Sequence, residues 1–174
     1  MAADTTTSRA PDGRFLVAHP AHFIALGFGS GLAPKAPGTF GTLAALVIFL
    51  LLEQVIPPWW VAVLAVPLFF VGIWASAVTA RDLGVADHGS IVIDEIAAFL
   101  PVCVFANKSP LMLAVAFGLF RLFDVWKPFP IRQVERRVKG GFGVMIDDVL
   151  AAVYACLALA LLIEASHAYL LKAT

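Results

Sequence analysis

Charge is missing from this chain in long unbroken runs, and that limits its fold more than any motif does. No Asp, Glu, Lys or Arg occurs over 36–52, 54–80, 96–107, 109–120 or 149–163, runs of 17, 27, 12, 12 and 15 residues. A helix needs about 20 apolar residues to cross the hydrocarbon core of a bilayer, with about 17–25 the usual range. The stretch from Trp59 to Ala80 meets that outright, with Pro67 tolerated as a kink. The 36–52 run sits at the lower limit, and the two 12-residue runs reach across only with polar flanks. The competing possibility is a compact soluble bundle of very apolar helices. In 174 residues too much of the volume lies near the surface to hide five of them. The composition agrees: 61% of residues are hydrophobic and 14% charged, where a soluble domain runs at about half and about a quarter.

Breaks at Pro57-Pro58 and at Asn107-Lys108-Ser109-Pro110 divide the hydrophobic part into segments at about 39–55, 59–81, 92–106, 110–126 and 146–170. The expected architecture is an all-α, membrane-embedded bundle of about five main helices. It forms one domain over 21–174, with a disordered tail over 1–20 ahead of it. That tail lacks the basic start, apolar middle and cleavage site of a signal peptide. If the segments alternate in direction, ten of the twelve basic residues share one side, and only Lys108 and Lys172 lie opposite. The positive-inside rule makes that side cytoplasmic. Twelve basic against twelve acidic residues leave no net field for nucleic acid. Cys103 and Cys156 lie in apolar runs and are expected to pack, since two cysteines make neither a disulfide framework nor a four-thiolate zinc site.

The same alternation gathers carboxylates. Asp94 and Glu95 stand at the start of the third segment, Asp124 beside Arg121 at the end of the fourth, and Asp147 and Asp148 at the start of the fifth. Ionisable groups at membrane helices are costly and mark function or a pairing partner. Oxygen donors alone suit a hard cation such as Mg²⁺. Each residue also has a structural role open to it. Asp147 or Asp148 can favour a helix N-terminus, and Arg121 can simply neutralise Asp124. Lys127, Arg132, Arg136, Arg137 and Lys139 crowd a short polar stretch that Pro128 and Pro130 keep from continuing the fourth helix. Such cations hold phosphate or lipid head groups, or merely fix orientation. Ahead of the first segment, a glycine-rich stretch leads through Lys35 to Gly38 and Thr39, whose backbone N–H groups can meet an anion; no P-loop pattern is present. His88 offers a proton-transfer group, and Ser90 a hydroxyl or a helix cap. His19, His22 and His167 are expected to be incidental.

Three blocks, GFGSGLAPKAPGTFGTLAA (27–45), DHGSIVIDEIAAF (87–99) and FRLFDVWKPFPIRQVERRVKGGFGVMIDDVLAA (120–152), occur in order. Together they resemble the phosphatidylglycerophosphatase A family over most of residues 23–155, departing mildly at Thr42 and Glu135, where serine and aspartate are common. The resemblance implies a Mg²⁺-dependent lipid phosphatase of the inner membrane, with its site facing the cytoplasm. The expected reaction converts phosphatidylglycerophosphate to phosphatidylglycerol and inorganic phosphate. On that basis Asp94, Glu95, Asp124, Asp147 and Asp148 are the expected metal ligands. Asp94, Glu95, Asp148, Lys127 and His88 are the catalytic candidates. Lys35, Gly38, Thr39, Arg121, Arg132 and Lys139 are the substrate-binding candidates. Other phosphatase chemistries lack their residues: neither cysteine is followed six positions later by Arg, and DxDxT and PSGH are missing. Two non-enzymatic alternatives stay in view, a small transporter with carboxylates at mid-membrane depth and a scaffold that only holds anionic lipid.

Overall fold

Proline and glycine punctuation sets the helix ends. The computed structural model describes residues 10–106 and 108–173, and every regular element among them is helical. In order they are α1 (Gly13–Ala18), α2 (Pro20–Ala25), a 3-10 stretch (Gly27–Leu32), α3 (Pro37–Leu52), α4 (Pro58–Leu83), α5 (Ile93–Phe105), α6 (Pro110–Trp126), α7 (Ile131–Arg137) and α8 (Gly140–Ala173). Proline begins α2, α3, α4 and α6, where its missing N–H costs nothing and its fixed φ already suits the helix. Gly84, at φ 72°, closes α4 in the left-handed conformation and returns its N–H to the carbonyls of Ala80 and Arg81. The five long helices, α3 to α6 and α8, match the five expected segments, and the short ones lie at the N-terminus and in the connections.

The shortest of the five is the central one. Nine of the 13 residues of α5 are buried, against α3, α4 and α8. Phe99 packs its ring against Phe117 and Phe120 of α6, at centroid distances of 5.9 and 5.2 Å. Where α8 starts, Gly141 brings it onto the backbone of α4: a Cβ there would collide with the Ile73 carbonyl. At the far end Lys108 pairs with Glu53 at 3.4 Å, joining the end of α3 to the α5–α6 turn. Lys108 thus lies opposite the carboxylate end, as alternating segments require.

The exterior is as apolar as the interior. α4 and α8 are long and apolar enough to cross a membrane, and only 28% and 33% of their most apolar stretches are buried in the protein. Core helices of a soluble protein would be mostly covered, whereas here Phe70, Leu157 and Leu161 are 64%, 59% and 72% exposed. Surfaces of this kind need lipid against them.

Three expectations are corrected. The fifth helix starts at Gly140, not at 146, so Asp147 and Asp148 lie two turns inside it and do not cap it. The apolar run marked where the helix becomes hydrophobic, whereas the break that starts it is Gly140, at φ 76°. The tail expected over 1–20 is helical from Gly13, because Asp12 caps α1 by accepting from the Arg14 and Phe15 N–H groups; residues 1–9 lie outside the described residues. His22 is not incidental. It is 4% exposed, stacked on Phe15, and its ring nitrogens meet the Phe15 carbonyl at 3.0 Å and Asp82 at 2.9 Å, tying α1 and α2 to α4.

The Gly141 contact predicts a clear asymmetry between glycines. Gly141→Val should cost about 1–3 kcal/mol by overpacking, read as a lower Tm of the detergent-solubilised protein. Gly118→Ala, with open space around it, should leave Tm unchanged or raise it. Equal Tm values for both variants would contradict the α4–α8 contact.

Candidate active site

Four helix ends and one loop meet where the charges collect. Asp94 and Glu95 occupy the first turn of α5, placed by a chain reversal that docks 90–92 on the N-terminal helices: the Val92 N–H donates to the Ala25 carbonyl at 2.8 Å. Asp148, one helix away on α8, is 3% exposed and Glu95 8%. One oxygen from each of Asp94, Glu95 and Asp148 falls within 4.8 Å of the others. Asp94 Oδ1, Glu95 Oε2 and Asp148 Oδ2 are buried with no hydrogen-bond donor. Buried carboxylate oxygens normally have donors. Three carboxylates brought this close, each with a bare oxygen, could hold a cation.

The other two candidate ligands are committed to basic side chains. Asp124 pairs with Arg121 at 2.5 Å, and the same Nη1 stands 3.5 Å from Glu95 Oε1. Asp124 also lies against Asp148, so Arg121 closes one side of the cluster. Asp147 accepts from Lys127 Nζ at 2.6 Å, and that ammonium donates also to Glu135 at 2.8 Å. Burial alone would lower the Lys127 ammonium, but the hydrogen bonds to Asp147 and Glu135 outweigh it and hold it above its ordinary pKa. Lys127 is a fixed cation. Its backbone, at φ 46°, is left-handed and ends α6; a non-glycine residue there is strained and needs its surroundings to hold it.

Glu135 was visible in the sequence only as a departure from the family pattern, yet it is the second carboxylate on Lys127. No periodicity could pair them, because the two prolines between them bend the loop back. The Tyr154 hydroxyl pins that loop to α8 by donating to the Phe129 carbonyl at 2.7 Å.

Of the substrate-binding candidates, Gly38 and Arg121 touch the cluster. A Cβ at Gly38 would overlap Glu95 Oε1 and crowd the Arg121 guanidinium, so glycine lets the first turn of α3 lie on the site without displacing either side chain. The Thr39 N–H is bonded to the Ala36 carbonyl at 2.9 Å, which leaves Gly38 as the one with a first-turn donor. Lys35, Arg132 and Lys139 are exposed. Arg132 donates to the Trp126 carbonyl at 3.1 Å and Lys139 to the Glu135 carbonyl at 2.9 Å, while Lys35 has no ion pair among the described residues. Between Lys139, Glu135, Asp87 and Asp147 lies a polar recess of about 90 Å³.

His88 is half-buried, and its Nδ1 accepts the Ser90 N–H at 3.2 Å. That bond puts the proton of the neutral ring on Nε2, which makes His88 a donor and not a base. Ser90 does not cap α5; Val92 holds that position with no side-chain bond. Cys103 is fully buried and Cys156 partly so, and neither takes part in the site.

Comparison with known proteins places the chain among its relatives. The family model described as "Phosphatidylglycerophosphatase A" matches residues 23–163. A relative named phosphatidylglycerophosphatase A from Haemophilus influenzae is 41% identical over 150 residues, 86% of this chain and 92% of that protein. One of the same name from Escherichia coli is 43% identical over 142 residues, 80% of this chain and 81% of that protein. A third, from Bacteroides thetaiotaomicron, is 40% identical over 144 residues, 79% of this chain and 89% of that protein, and bears the provisional name phosphatidylinositol-3-phosphatase. No solved structure matches. Matched over most of its length in sequence, with the conserved name attached to two separate relatives, the chain belongs to the phosphatidylglycerophosphatase A family.

Proposed function

We propose that the protein hydrolyses phosphatidylglycerophosphate to phosphatidylglycerol and inorganic phosphate. The reaction is Mg²⁺-dependent and takes place at the cytoplasmic face of the inner membrane. The observation that carries this reading is the set of bare, buried oxygens on Asp94, Glu95 and Asp148. It has the chemistry of a hard-cation site, and it is bordered by positive groups that suit a phosphomonoester. The substrate follows from the relatives' names, and the orientation from the basic residues that alternating segments assign to the carboxylate side.

Asp94, Glu95 and Asp148 would hold the ion, which when bound would polarise phosphoryl oxygens and acidify a water. The protein's own groups do the rest. Arg121 orients Glu95 and stands ready to offset charge on the phosphoryl oxygens as the ester bond breaks. Lys127 holds the Asp147 carboxylate in place next to Asp148. The Gly38 N–H and His88 Nε2–H are donors for the phosphate, and Lys35, Arg132 and Lys139 draw the anionic head group towards the protein. With His88 set as a donor, the carboxylates are left as acceptors of the attacking water's proton.

A transporter would carry its carboxylates at mid-membrane depth on broken helices, whereas these gather from the first turn of α5, the last turn of α6 and two turns inside an unbroken α8. A lipid-holding scaffold would have no use for three donor-less oxygens.

Purified protein should release phosphate from phosphatidylglycerophosphate with Mg²⁺ and stop with EDTA; equal release in both would remove the metal from the account. Asp94→Asn and Asp148→Asn should each lower turnover by about 10³-fold or more while the protein still accumulates in the membrane, and near-normal rates would mean the wrong carboxylates are assigned. Phosphatidylinositol 3-phosphate should be a poor substrate, and faster turnover of it would move the assignment to the other relative's lipid.

A further inference from the structure

We propose that an apolar groove between α4, α5 and α8 holds one acyl chain of the lipid whose head group the carboxylate cluster binds, an inference that rests on the lipid-phosphatase reading above. The groove encloses about 660 Å³ and is lined throughout by apolar side chains, within the roughly 300–1,000 Å³ of ordinary ligand sites.

Its position assigns its occupant. Ala98 lies one helical turn beyond Asp94, and Ala152 one turn beyond Asp148, on the same helix faces. Both alanines line the groove, so its floor begins directly beneath the head-group site. Along α8 the lining starts beside the site at Phe142 and continues past Asp148 to Ala160, about 18 Å beyond Asp148 at about 1.5 Å per residue. That exceeds half of a hydrocarbon core about 30 Å thick, the depth one acyl chain reaches from the interface. The side walls are open: Phe70, Phe105 and Leu157 are 64%, 45% and 59% exposed. A lipid can therefore enter sideways from the bilayer, its phosphate moving along the interface into the cluster while one acyl chain settles between the helices. A water-soluble phosphomonoester would gain nothing from such a surface. A lipid gains burial for each methylene it lays there.

The test compares dioleoyl with dihexanoyl phosphatidylglycerophosphate as substrates in detergent micelles. It also uses a phosphatidylglycerol carrying a photoactivatable diazirine in one acyl chain. Cys156 lines the groove, and Cys156→Trp should fill it. The ratio of long-chain to short-chain kcat/KM should then fall about tenfold, the effect of keeping about two methylenes from burial. Val47→Trp, on the exposed face of α3 away from the groove, should leave the ratio unchanged. Crosslinks in the unsubstituted protein should fall on groove residues of α4, α5 and α8, and should weaken in Cys156→Trp; Ala160→Phe replaces that variant if it fails to accumulate. An unchanged ratio, crosslinks scattered over all lipid-facing helices, or crosslinks joining two copies of the protein would each overturn the proposal. If the unsubstituted protein hydrolyses neither lipid, the catalytic reading fails by itself and the crosslinking alone decides the groove.

Discussion

Repulsion among three carboxylates is the constraint around which this protein is built. Two unit charges 4.8 Å apart, the spacing limit for the oxygens of Asp94, Glu95 and Asp148, repel by about 3–4 kcal/mol at an effective dielectric constant of about 20. Folding brings them together from two helices separated by about 50 residues of chain, and leaves one buried oxygen of each without a hydrogen-bond donor. A cation shared among the three, as proposed, would turn the repulsion into attraction, and the apolar shell would make that attraction stronger than in water.

Two basic residues determine which carboxylates stay available. Arg121 takes Asp124, and Lys127 takes Asp147. In each case an acidic residue next to the cluster is neutralised, so three carboxylates share the open space and five do not. The same cations end up beside the site, where they can serve a phosphate. Gly38 completes the enclosure by letting α3 lie against Glu95 and Arg121 without a side chain between them. One set of ion pairs thus shapes the site and supplies its positive wall.

Much of this was legible in the chain before any coordinates. The uncharged runs marked the five long helices, and alternating them put Lys108 at one end and the acidic residues at the other, because a charge-free run forms a helix that must keep away from water. Pairing was not legible. Asp147 and Asp148 are neighbours with identical side chains, and only the direction each takes from α8 separates the partner of Lys127 from the bare carboxylate. The start of α8 was misplaced because hydropathy rises at 145–146 while the backbone break is at Gly140. His22 looked idle because its partners, Phe15 and Asp82, lie on other elements, the second of them 60 residues away. Patterns along the chain report which face is apolar; they carry no record of contacts made across it.

The central claim, one cation held jointly by Asp94, Glu95 and Asp148, is tested most directly by binding. Mn²⁺ added to the purified protein and followed by electron paramagnetic resonance should show saturable loss of the free-ion signal, reversed by excess Mg²⁺ and missing in Asp148→Asn. Undiminished Mn²⁺ binding by that variant, or no saturable binding by the unsubstituted protein, would contradict it.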